Sequence, residues 1–93
     1  KKMSRPFGYK KSKRKAYIYW SSVSGASGYQ IQYSKNKSFK KAKKRRITKR
    51  SYATISKLAR KKYYVRVRAY VKSKKKYYYG AWSNRKIINM RKN

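Results

Sequence analysis

The sequence contains no aspartate, glutamate, histidine or cysteine, so its 32 lysines and arginines meet no acidic side chain and the formal charge is +32 over 93 residues. Each absence closes a chemistry. General acid–base catalysis near neutral pH draws on His, Glu or Asp, and divalent metals draw on carboxylate, imidazole or thiolate ligands. None of those side chains is present. A serine activated by a lysine of lowered pKa is the one nucleophilic arrangement left, and no spacing singles out such a pair. The sequence therefore reads as that of a non-enzyme with no cofactor and no metal site. Lack of cysteine excludes disulfides and fits either a reducing compartment or a secreted bacterial module held together by packing alone. Long apolar runs are missing as well, which removes a membrane span and the apolar stretch of a signal peptide. A chain opening at Lys1 reads as a processed product or an excised domain whose targeting signal lies elsewhere.

An average domain of this length carries about eleven acids, so their complete loss points to selection or to design. What remains is 39% hydrophobic and 17% aromatic. That is too rich for a disordered polycation, although the mean hydropathy of −1.22 pulls the other way. A single domain over residues 1–93 is expected, with a folded core inside a basic shell. A compact chain of this mass exposes roughly 5,700 Å². The charges then lie about 13 Å apart, close to the screening length of about 8–10 Å, so salt or a polyanion is expected to stabilise the fold.

Alternation with period two dominates the chain, and no window carries apolar residues at helical spacing. The clearest strand runs from Tyr63 to Val71. Tyr63, Val65, Val67 and Ala69 form its apolar face, and Tyr64, Arg66, Arg68 and Tyr70 project from the other. A second strand over Lys15 to Trp20 points Ala16, Ile18 and Trp20 inward and Tyr17 and Tyr19 outward. Ser24, Gly25, Ala26, Ser27 and Gly28 supply a tight turn, after which Tyr29, Ile31 and Tyr33 alternate with Gln30 and Gln32. From Ser34 to Arg46 the chain is polar; Ile47, and then Ala53 with Ile55, mark two shorter strands, and Leu58 closes that half. A Lys-rich loop is expected from Lys72 to Gly80, followed by a strand over Arg85 to Met90 with Ile88 and Met90 inward. Pro6, Phe7 and Tyr9 supply a weak first strand. Seven strands with turns between them and no helix predict an all-β, antiparallel two-sheet sandwich, with a small closed barrel as the competing architecture.

Four stretches carry a family resemblance. Trp20, Val23, Gly25, Ala26, Gly28 and Tyr29 with Gln30 to Ser34 form the first, and Ser38 to Ala42 the second. Tyr63 to Tyr70 form the third, and Tyr79, Gly80, Ala81, Trp82 and Ser83 the fourth. Together they resemble a fibronectin type III domain, an immunoglobulin-like fold, of the Lys-rich variety found in surface and secreted proteins of Gram-positive bacteria. The resemblance runs nearly end to end. The alternation makes Tyr29 and Ile31, with Val65 and Val67, core; the resemblance implies that Trp20 is the buried tryptophan of the second strand and that Leu58 precedes the sixth strand. Tyr63 then bonds its hydroxyl back to backbone at the corner. It also implies that Trp82 inserts between Arg66 and Arg68. The spacing from Leu58 to Tyr63 is one residue shorter than the family's, which leaves Tyr64 as the alternative corner tyrosine. An Arg-Gly-Asp loop, carried by the best-known extracellular relatives, is impossible without acids; Lys72 to Lys76 stand in its place.

Electrostatics with aromatics is the chemistry that survives. Thirty-two cations displace counterions from any polyanion, and twelve tyrosines among them are available to stack bases or sugar rings. The candidate polyanion-binding surface comprises Tyr64, Arg66, Arg68, Tyr70, Lys72, Lys74, Lys75 and Lys76, rimmed by Tyr77 and Tyr78. Lys1, Lys2 and Arg5 at one end and Arg91 and Lys92 at the other read as flexible arms or as linkers to neighbouring domains. The first functional expectation is a non-catalytic adhesive or spacer of a bacterial surface or secreted protein that binds anionic glycopolymers. The alternatives are an intracellular RNA- or DNA-binding protein, an engineered supercharged scaffold, and membrane disruption. A chain of this charge is expected to stay monomeric without a bridging anion.

Overall fold

The computed structural model describes residues 5–48 and 50–91; the basic ends Lys1, Lys2 and Lys92 lie outside the described residues. Strands alone make up the regular structure there: β1 (Phe7–Ser12), β2 (Lys15–Tyr19), β3 (Gly28–Ser34), β4 (Lys43–Thr48), β5 (Tyr52–Ile55), β6 (Lys62–Ser73), β7 (Lys76–Tyr79) and β8 (Lys86–Asn89). They form two antiparallel sheets, one ordered β1-β2-β5 and the other β4-β3-β6 with β7 and β8 both against β6. The inward members of each alternation meet between the sheets: Ala16 and Ile18 with Trp20, Tyr29 and Ile31, Ala53 and Ile55, and Tyr63, Val65 and Val67, all buried. Leu58 caps one end of this core, and Ile88 and Met90 fill it from β8 and the residue that follows. The open sandwich, not the barrel, is the architecture formed.

Eight strands appear where seven were expected, and β6 supplies the reason. Its first residues pair with β8 (Tyr63 opposite Ile88) and its last with β7 (Tyr70 opposite Tyr79). Between the two, the chain stays close to β6 without regular pairing: the Gly80 N–H donates to the Ala69 carbonyl at 2.9 Å and the Ser83 N–H to the Val67 carbonyl at 2.8 Å. β7 and β8 are thus two halves of one edge, interrupted at the residues that carry Trp82.

The expected loop from Lys72 to Gly80 is instead a hairpin, a correction with a local cause. Ser73 pairs with Lys76, so Lys74 and Lys75 alone make the turn, at φ 49° and 71°. Two successive positive φ values match the twist of the flanking strands. Asn-Gly is the usual signal for such a turn, and a lysine run conceals it. The strand marked by Ile47 also starts earlier than its aliphatic residue suggests: β4 begins at Lys43, inside the polar stretch, and Tyr33 to Gly28 of β3 pair with Lys43 to Thr48 in unbroken register.

Candidate functional site

Arg66 and Arg68 leave β6 on the outer face of the larger sheet, directly opposite Gln32 and Gln30 of β3. Each arginine donates its Nε–H to the facing amide oxygen, at 2.6 Å for Arg66 to Gln32 Oε1 and 2.9 Å for Arg68 to Gln30 Oε1. These bonds hold the guanidinium planes upright. The interruption between β7 and β8 then lays Trp82 between them, its ring 4.7 Å from the Arg66 guanidinium carbon and 4.2 Å from that of Arg68. Phe39 covers the other side of Arg66 at 4.1 Å, and Tyr79 covers the other side of Arg68 at 4.0 Å. Aromatic ring and cation alternate through five side chains. Each contact contributes about 0.5–1 kcal/mol or more where partly dried. Burial is the main influence pulling both guanidinium groups below their ordinary value, with the neighbouring Arg68 adding to it at Arg66.

The alternation has a second tier. Arg46 of β4 lies 4.0 Å over the Tyr77 ring and donates from Nη2 to the Tyr79 hydroxyl at 3.0 Å. That hydrogen bond is the leading reason the group is held above its ordinary value. Under this tier lies Tyr70. The expectation that Tyr70 projects freely from the outer face is corrected here: it is 3% exposed, edge-on to Tyr77 and Tyr79. The close approach that buries it needs Gly28, where an added Cβ would come within 2.6 Å of the Tyr70 hydroxyl.

The remaining sequence-predicted residues separate into two groups. Tyr64 is half-buried, with Arg85 5.9 Å over its ring. Lys72 lies 5.7 Å over Tyr77, and Lys74, Lys75 and Lys76 stand exposed at the hairpin tip. The structure therefore does not gather the eight candidates into one open face: the arginines and Tyr70 are packed among rings, and the lysines are free to meet solvent. Among the residues assigned structural roles, Trp20 packs edge-on to Tyr29 at 5.5 Å, and the Tyr29 hydroxyl accepts the Val23 N–H at 2.7 Å. The Tyr63 hydroxyl accepts the Ala59 N–H at 2.9 Å, which makes Tyr63, not Tyr64, the corner residue.

Sequence reasoning passed over Phe39, Arg46, Tyr77 and Tyr79 as partners in the alternation. Phe39 reaches Arg66 from a loop in which it takes a φ of 59°, a conformation no periodicity announces. A cleft of about 420 Å³ beside β3 is lined by ten residues, four of them lysines. That share is close to the 34% charged content of the whole chain, so the cleft shows no special concentration of charge.

No protein-family profile matches the chain, and no curated protein matches it. Solved structures do match. One is the solution structure of a fibronectin type III domain from the human KIAA0970 protein, with a TM-score of 0.73 and 19% identity over 94% of this chain and 71% of that one. Another is a myokine structure, with a TM-score of 0.67 and 16% identity over 94% of this chain and 96% of that one. Identities this low carry the fold alone, and the fold is that of a fibronectin type III domain.

Proposed function

We propose that the chain is a non-catalytic module that holds acidic polymers, serving as adhesive and spacer in a secreted or surface-attached bacterial protein whose partners are anionic glycopolymers of the envelope or of a host. One observation carries this reading: 32 cations face no acidic side chain, and packing among rings engages chiefly Arg46, Arg66 and Arg68, leaving lysines such as Lys74, Lys75 and Lys76 exposed. Their charge can be neutralised only from outside. The resemblance to Lys-rich Gram-positive modules supports the setting, and the absence of any acid–base pair supports a role without catalysis.

The test is a salt titration of binding to a sulfated glycosaminoglycan, to polyuridylate and to inorganic polyphosphate. Glycosaminoglycan binding is expected to weaken steeply as salt rises, because each neutralised charge releases counterions. For polyphosphate, which offers charge alone, replacing Lys74, Lys75 and Lys76 by Gln is expected to lower the slope by about 2–3. Failure to bind any of the three at low salt would overturn the reading, and a marked preference for polyuridylate at every salt would replace it with nucleic-acid binding.

A further inference from the structure

The outer face of the smaller sheet carries a feature that the charge does not explain. Two rows run across its three strands, Phe7–Tyr19–Tyr52 and Tyr9–Tyr17–Thr54. Five of those six outward positions are aromatic, against 17% aromatic residues in the chain. The rings are also exposed: Phe7 and Tyr9 by 53%, Tyr52 by 45% and Tyr19 by 40%. They touch one another. Phe7 stacks on Tyr19 at 5.2 Å, Tyr17 lies 5.5 Å from Tyr9 and 5.6 Å from Tyr19, and Tyr17 and Tyr52 are 6.2 Å apart across the diagonal. Lys11 and Arg50 stand at opposite sides of the patch, 5.9 Å over Tyr17 and 5.5 Å over Tyr52. A contiguous exposed ring surface is a mark of a binding site.

We propose that this five-ring face is where the glycopolymer docks, its sugar rings lying across the two aromatic rows and its acid groups meeting Lys11 and Arg50. The proposal rests on the polyanion reading and names its surface. Three observations choose this occupant. A second copy of the chain brings another +32 and is repelled. The ring centroids are only 5.2–6.2 Å apart, closer than the about 7 Å that a flat ring inserted between two others needs, so a ligand lies on top of the rows. What the top offers is ring surface together with the hydroxyls of Tyr9, Tyr17, Tyr19 and Tyr52, none of which bonds to another described residue. Ring surface for C–H faces and free hydroxyls for hydroxyls is the pairing a sugar chain presents.

The two phenylalanines of the chain make a direct test possible, because Phe7 lies on this face and Phe39 in the arginine stack on the other sheet. In protein carrying isotope-labelled phenylalanine, a sulfated glycosaminoglycan is expected to shift the Phe7 ring resonances and leave Phe39 in place. Polyphosphate, which has charge but no rings, is expected to shift Phe7 far less. The double variant Tyr9→Ala with Tyr52→Ala, both half-exposed on edge strands, is expected to bind the glycosaminoglycan about tenfold more weakly at moderate salt, with polyphosphate affinity unchanged. Near-UV circular dichroism checks its fold, and the wild-type resonance measurement stands without it. A shift at Phe39 alone, or equal losses for both polymers, overturns the proposal while leaving polyanion binding intact. A loss confined to polyuridylate also overturns it and assigns the face to nucleic acid. Absence of binding by the wild type to all three polymers would be failure of the functional reading itself.

Discussion

Arg68 and Gln30 face each other on neighbouring strands, and the arginine donates its Nε–H to the glutamine Oε1 at 2.9 Å. Here a neutral amide orients the guanidinium and aromatic rings cover its faces, so the cation is held in a partly buried position without any anion. Arg66 repeats the arrangement with Gln32. Fixing two like charges on adjacent outward positions of one strand costs free energy, and the rings of Phe39, Trp82 and Tyr79 offset it.

Trp82 is the member shared by both arginines, so Trp82→Ala removes two cation–π contacts at once. It is expected to lower the unfolding free energy by about 2–3 kcal/mol, seen as an earlier midpoint in urea at unchanged slope. A loss below about 0.5 kcal/mol would mean that the stack contributes nothing to stability.

Tyr63→Phe deletes only the hydroxyl that accepts the Ala59 N–H. Leaving that N–H without its partner is expected to cost about 1–2 kcal/mol. Tyr64→Phe is expected to cost less than about 0.5 kcal/mol, and thermal melts of the two variants compare the corner directly.

At the hairpin tip, Lys74 and Lys75 occupy backbone conformations that side chains with a Cβ adopt at a cost. Lys74→Asn combined with Lys75→Gly is expected to raise stability by about 1 kcal/mol, read as a higher melting temperature. A decrease would place the turn elsewhere.

Acid unfolding works by protonating carboxylates that are better paired in the folded state than in the unfolded one. Without Asp, Glu or His, stability is expected to stay level from about pH 3 to pH 8, as urea midpoints across that range would show. The alkaline side differs. Burial holds the Tyr33 phenol above its ordinary 10.0, against the pull of Arg45. A proton held more tightly by the folded chain gives a contribution complete below the unfolded value and lost as pH rises through the folded one. Tyr33→Phe cannot ionise, so wild type is expected to lose stability relative to this variant only above about pH 10.

The inward rows were legible because burial between two sheets demands period two, and Ile18, Ile31, Val65 and Val67 display it without interruption. Strand β7 and the start of β4 were not, because an outward or edge strand has no need of aliphatic residues and lysine runs look alike in strand and turn. Tyr70 misled for a related reason. Its alternation puts it on the outer face, but Gly28 opposite leaves a hollow that Arg46, Tyr77 and Tyr79 close over, and a hollow depends on partners far away in the chain. The five-ring face is half visible in the sequence: alternation turns Tyr17 and Tyr19 outward, whereas joining them to Phe7, Tyr9 and Tyr52 requires the strand order β1-β2-β5.

β4 closes the larger sheet with no strand beyond it among the described residues, and the successive cations Lys43, Lys44, Arg45 and Arg46 guard that open row of backbone groups. Charge repels a second edge here much as proline or a bulge does in other sandwiches. A guard made of charge is conditional. Titrating the protein with a long polyanion should carry it through a point of neutrality where edges are free to associate and the mixture clouds, and excess polymer should clear it again as the sign reverses. Solubility would then depend on mixing ratio, with the densest deposit forming where protein and polymer charges balance.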